Sequence, residues 1–251
     1  MTRRLIIYAL LFFSANMVAQ QQIMSGEIQY EFTITTNDSI SNEVLKKNKV
    51  SDQVKKMLKT LYSKNKASYL LRFHKNASIF KAVESLSTEE NKMNYAKIMG
   101  GNGIFYTDKN ADKILDQKEA YGELFLVSMP KPQWSLTQET KTIGKYLCYK
   151  ATTEQEAETR DGKIVKKITA WYTPEIPINY GPKNFYGLPG LILELEIMGK
   201  EMLFRATNIN LSPTKEIKIK KPTRGKKLSL QEFEATSKKL YESFHSNKLK
   251  Y

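Results

Sequence analysis

Glu194 and Glu196 are the residues of this chain whose types and spacing best suit acid–base chemistry. Two carboxylates two positions apart on a strand share one sheet face, and a hydrolase could use them if one were strongly desolvated. The simpler reading is a solvent-facing row paired with lysines on neighbouring strands. Asp108, Asn110, Asp112, Leu115, Asp116 and Glu119 fall at calcium-loop spacing, but Lys113 stands where that loop needs glycine. A solvated hairpin tip is therefore expected, and no metal or other cofactor. His74 and His245 lie in no ligand or nucleophile motif and are read as surface residues. No HExxH, GxSxG, P-loop or CxxC occurs, so no catalytic residue is assigned and the sequence weighs against an enzyme. The single cysteine, Cys148, cannot close an internal disulfide and is read as buried.

The densest local signal is the stretch from Ala170 to Glu194, AWYTPEIPINYGPKNFYGLPGLILE. Pro174, Pro177, Pro182 and Pro189 restrict φ and remove donors, while Gly181, Gly187 and Gly190 permit close approach or positive φ. A loop so constrained loses little entropy on ordering. Trp171, Tyr172, Tyr180, Phe185, Tyr186 and Leu188, with Pro189, supply apolar area to anchor it. It reads as a rigid connection covering one end of a sheet, or as the rim of a ligand or partner site.

The elements that position these residues are mostly strands. Ile28, Tyr30, Phe32 and Ile34 alternate with polar residues over Gly26 to Thr35, the pattern of a half-buried strand. Val50, Val54, Met57, Leu58 and Leu61 have helical spacing, predicting an amphipathic helix from Glu43 to Tyr62. Further strands are predicted around 67–74, 78–83, 104–107, 113–117 and 124–128. In the second half, 134–141, 145–153, 164–172, 191–198 and 202–209 follow, with a hairpin turn at Asp161-Gly162. Along the 191–198 strand, Leu191, Leu193, Leu195 and Ile197 are expected on one face and Ile192, Glu194, Glu196 and Met198 on the other. The basic run Lys215 to Lys227 reads as an edge or exposed connection. Ser229 and Glu232 have capping-box spacing at the start of a C-terminal helix whose apolar residues include Phe233, Leu240, Tyr241 and Phe244. The sum is an α+β domain: a curved antiparallel sheet or partly open barrel with an early amphipathic helix and a C-terminal helix.

The N-terminus predicts export. Arg3 and Arg4 precede the uncharged apolar run Leu5 to Ala15, and Ala19 offers a cleavage site, so residues 1–19 read as a signal peptide and 20–251 as one domain. No cysteine near the cut could carry a lipid, and no later segment is long and apolar enough to span a membrane. A periplasmic or secreted location is expected. The formal charge is +14, and +12 once Arg3 and Arg4 are removed. Outside the cytoplasm its counterparts are lipid headgroups, acidic glycans and acidic proteins, not nucleic acid.

Gly187-Leu188-Pro189-Gly190-Leu191-Ile192 resembles the signature of the GLPGLI family, exported proteins of the Bacteroidota. Trp171-Tyr172-Thr173, Ile176-Pro177, Gly181-Pro182, Phe185 and the preceding Ile143-Gly144, Cys148 and Lys150-Ala151 are similar to its pattern. The resemblance implies an envelope location and no established activity. By analogy of fold alone, the half-barrels of periplasmic lipoprotein carriers such as LolA provide a second comparison. Together these readings lead to a non-enzymatic binding protein for a hydrophobic ligand: a lipid, acyl chain or peptide. The alternatives are an accessory module docked on an outer-membrane protein, and an unrecognised hydrolase using Glu194 or Glu196.

Overall fold

The computed structural model describes residues 25–34, 66–84, 95–159, 162–199 and 201–248. The signal segment and the early helix expected over 43–62 lie outside the described residues. Twelve strands form one sheet in the order β12-β6-β5-β4-β3-β2-β1-β11-β10-β9-β8-β7. They are β1 (Ser25–Ile34), β2 (Lys66–His74), β3 (Ala77–Ala82), β4 (Ile104–Asp108), β5 (Lys113–Ala120), β6 (Glu123–Met129), β7 (Ser135–Ile143), β8 (Tyr146–Thr159), β9 (Gly162–Thr173), β10 (Leu191–Ile197), β11 (Met202–Asn210) and β12 (Lys226–Ser229). All pairings are antiparallel except that of β12 with β6, which is parallel. Two helices are described, α1 (Tyr95–Gly100) and α2 (Leu230–Lys248).

The sheet does not close into a barrel, but it curves far enough for α2 to touch both β6 and β8, near its opposite ends. The expected α+β class with a curved, open antiparallel sheet is what the structure has.

One face carries the main core. Alternation on β1 places Ile28, Tyr30, Phe32 and Ile34 there, all buried. Phe32 packs on Phe204 with ring centroids 4.5 Å apart, and Tyr69 stacks on Phe80 at 5.2 Å. Such rings bury large apolar areas and favour offset or tilted geometry, which stiffens the sheet's centre. A smaller cluster of Tyr106, Leu115 and Leu126 lies on the opposite face of β4 to β6, covered in part by Ile219.

One predicted facing is corrected. Ile192 pairs with Tyr172 but Glu194 pairs with Trp171, so the register shifts between them. Neighbours on β9 point to opposite faces, so this β-bulge separates Ile192 from Glu194, although strict alternation would align them. Glu194 and Glu196 do share a face, paired with Trp171 and Thr169.

The capping box at α2 forms as its spacing predicts. The Ser229 amide donates to Glu232 Oε2 at 2.7 Å, and the Glu232 amide donates back to Ser229 Oγ at 3.2 Å. Phe233 then packs edge-on against Phe125, centroids 5.2 Å apart, which seats the helix on β6.

Candidate functional site

The paired carboxylates lie in a closed ionic cluster. Glu194 is 3 % exposed. Lys141 binds its Oε2, and Arg205 Nε donates to its Oε1 at 2.7 Å. Lys141 also approaches Glu196 to 3.8 Å and sits 4.3 Å above the Trp171 ring, whose Nε1 donates to Glu196 at 3.3 Å. Both Glu194 oxygens are engaged by cations. The pair is therefore neither open to solvent nor free of protein partners.

Cys148 is buried, and burial pushes its thiol up to about 11. It is protonated at neutral pH and a poor nucleophile.

The calcium-like row is divided by the hairpin. Asp108 accepts hydrogen bonds from the Asn110 and Ala111 amides, and Asp112 binds Lys131 and the Tyr186 hydroxyl. Asp116 points to the core face of β5. Among the described residues no group of three or more His, Cys, Asp or Glu could hold a metal ion. His74 is half-buried, with its Nδ1 lacking a hydrogen-bond partner among the described residues. His245 falls within α2.

The loop after β9 packs its aromatic residues inward. Tyr180, Phe185, Tyr186 and Leu188 are buried, Tyr172 is buried on β9, Trp171 is half-buried over Lys141, and Pro189 is exposed. Polar ties hold the loop: Tyr30 Oη donates to the Ile192 carbonyl at 2.7 Å, Trp134 Nε1 to the Tyr186 carbonyl at 2.9 Å, and Lys109 to Asn179 Oδ1 at 2.9 Å. Gly190 passes so close to the Thr173 carbonyl that a Cβ there would collide with backbone. That close approach explains glycine at this position of the hexapeptide.

The same loop forms one wall of a cleft of about 930 Å³ between the core face of the sheet and α2. Phe32, Phe105, Phe185, Phe204 and Phe233 line it, together with Asp116, Lys118, Glu158, Lys166, Lys183 and Glu234. This size suits a small-molecule or short-polymer ligand.

Its charged groups are unusual. Asp116 is 3 % exposed; Oδ2 pairs with Lys118 at 2.7 Å, while Oδ1 has no hydrogen-bond partner among the described residues and lies against Gly103. Lys183 has a φ of 56°, a left-handed conformation rare outside glycine that commonly accompanies functional constraint. The Pro182 carbonyl accepts from the Phe185 amide at 3.1 Å, and this turn carries the Lys183 amine to 5.5 Å from the Phe105 ring centre. Burial brings its ammonium down to about 8, against an opposing pull from Asp116. Burial also pushes the Glu234 carboxyl up from the usual range. A lowered amine and a raised carboxyl in one cleft are the two kinds of group that acid–base catalysis pairs.

Neither Lys183 nor Glu234 stood out in the sequence, and Asp116 did so only within the calcium-like row. Two local signals existed: Asp116 alternates with the inward Ile114, and Lys183 occupies a Pro-Lys-Asn-Phe turn.

Comparison with known proteins adds the following. A family model described as "Protein of unknown function (Porph_ging)" matches residues 134–167 and 155–194. The expected GLPGLI family is corrected on that finding: the model matching the hexapeptide region carries this other description, so the chain is similar to Porph_ging over that region. No curated protein matches. Two solved structures, of PNGF-II in a C2 and in a P21 space group, match with TM-score 0.47 and 14 % identity over 86 % of this chain. The chain spans about a third of that protein's length, 32 % and 34 % in the two structures.

Two further expectations are corrected: the leaning against an enzyme and the hydrophobic-ligand assignment. The physical reason lies in the cleft. Its wall carries carboxylates and amines as well as rings, and two of its titratable groups are displaced in the directions that proton transfer requires.

Proposed function

We propose that this protein acts on a polar ligand in the cleft between the sheet and α2, as a hydrolase working outside the cytoplasm. The reading rests on one observation: a cleft of ligand size has at its wall a buried carboxylate, Asp116, with one oxygen unpartnered among the described residues, beside the Lys118 and Lys183 amines. An unpartnered buried oxygen is costly to the folded state, and a ligand hydroxyl or N–H would satisfy it. In this reading Asp116 orients the ligand, Lys183 serves as base, and Glu234 supplies a proton. Glu194 and Glu196, the carboxylates the sequence offered for the same chemistry, are occupied by Lys141, Arg205 and Trp171. Among the described residues no helix is long and apolar enough to cross a membrane, which is compatible with an exported protein.

The test is a panel of chromogenic esters, amides and glycosides incubated with the protein and three variants. Turnover should fall about a hundredfold in D116N and K183M and persist in E194Q, the scale on which acid–base groups act. Absence of turnover across the panel, or turnover indifferent to both cleft substitutions, would rule the reading out.

A further inference from the structure

Between β11 and β12 the chain crosses the face opposite the cleft, and its composition there is extreme. Lys215 to Lys227 contains six lysines and Arg224, all exposed, and a single carboxylate, Glu216, which pairs with Lys218 at 3.3 Å.

The segment is tied to the sheet. Ile217 is buried, Ile219 packs on Tyr106, Leu115 and Leu126, and Gln117 Nε2 donates to the Arg224 carbonyl at 2.8 Å. Isoleucines directed inward between lysines make the strap present its cations outward from a fixed backbone. Repulsion among so many like charges opposes folding, and a fixed anionic partner would relieve it.

Apolar groups stand beside these cations. At the β5–β6 hairpin Leu124 is 36 % exposed, with Gly225 of the strap against its backbone, and Tyr121, which also lines the cleft, is 41 % exposed. Cations flanked by an exposed tyrosine and leucine match the chemistry of a bilayer interface, where headgroups take the charge and the headgroup–acyl boundary takes the apolar side chains. A soluble polyanion would use the cations alone.

We infer that the strap, with Tyr121 and Leu124, docks the protein on a membrane surface bearing anionic headgroups. The strap crosses the face opposite the cleft, whereas Tyr121 lines the cleft, so engagement of both places the β5–β6 end of the cleft beside the membrane. This inference does not depend on the reaction proposed for the cleft.

Co-sedimentation of the full chain with vesicles of phosphatidylcholine, with and without phosphatidylglycerol, measures it. Binding to the neutral vesicles sets the baseline, including any contribution from the apolar N-terminus, and the excess on anionic vesicles reports the strap. That excess should fall at least about tenfold in K218E/K220E/K221E, and in the single K221E by a smaller factor, since each basic residue near an anionic surface contributes roughly equally. It should also weaken in Y121S/L124S and with added salt, and remain in K145E/K167E, which changes exposed lysines elsewhere. Circular dichroism checks that each variant is folded. The inference is overturned if anionic vesicles capture no excess, if the strap variants retain it, or if K145E/K167E loses as much. It is equally overturned if Y121S/L124S binds undiminished and heparin competes fully, which would assign the strap to a soluble polyanion.

Discussion

Each half of the sheet buries one carboxylate to the same degree, and the two differ in what surrounds them. Glu194 on β10 is held by Lys141 and Arg205, with Trp171 and Glu196 completing the cluster. Asp116 on β5 pairs with Lys118, and its second oxygen lies against Gly103 with no donor among the described residues. Burial of a charge is tolerated when it is paired and hydrogen-bonded, so the Glu194 cluster is a finished structural unit. The Asp116 site is unfinished in the protein alone, and it opens on the cleft. Completeness of pairing, and not burial or clustering of acids, separates the structural carboxylate from the functional candidate.

The largest effect that tests this contrast comes from stripping Glu194 of its cations. The double variant K141M/R205M should lose about 3–5 kcal/mol in urea unfolding, because it strands a buried charge. Adding E194M should recover most of that loss; if it does not, the cations stabilise the fold by some other contact. Next in size is G103A, where a Cβ would meet Asp116 Oδ1. Overpacking there should destabilise by about 1–3 kcal/mol and displace the Asp116 carboxylate, visible as lost ligand turnover.

A smaller and opposite pair of effects follows from neutralising each acid. E194Q should destabilise by about 1–3 kcal/mol, since it weakens charge-assisted bonds to two cations. D116N should leave stability unchanged or raise it slightly, since it removes a buried charge that is only half satisfied. Equal losses in the two variants would abolish the contrast. The smallest effect is a pH dependence. Folding lowers the Lys183 ammonium from 10.5 to about 8, so between these values the unfolded chain holds the proton that the folded one has released. Stability should therefore rise with pH across that window, and K183M should flatten the rise. A slope identical in K183M and the parent would show that Lys183 is solvated in the folded state.

Strands such as β1 and β2 were legible because one face is buried and period-2 alternation records it directly. The capping box of α2 was legible for the same reason: its partners lie three residues apart and make their bonds locally. The bulge at Leu193 was not, since an all-apolar run gives no alternation from which to detect a shifted register. The parallel pairing of β12 with β6 was equally hidden, because its strands are about a hundred residues apart and no local preference encodes the choice. Asp116 was read within the wrong group, as its row of acids resembles a loop, whereas strand alternation sends its members to different faces.

What the sequence determined by itself is therefore the local: the alternating strands, the cap, the rigid Pro/Gly loop, the basic strap and the pair of glutamates on one face. What only the tertiary structure decided is which charges are completed by partners distant in the chain. Lys141 and Arg205 reach Glu194 across strands, and the turn at Lys183 delivers an amine to the cleft wall near Asp116. Desolvation and pairing depend on position in space, and those two quantities distinguish the spent carboxylate from the available one.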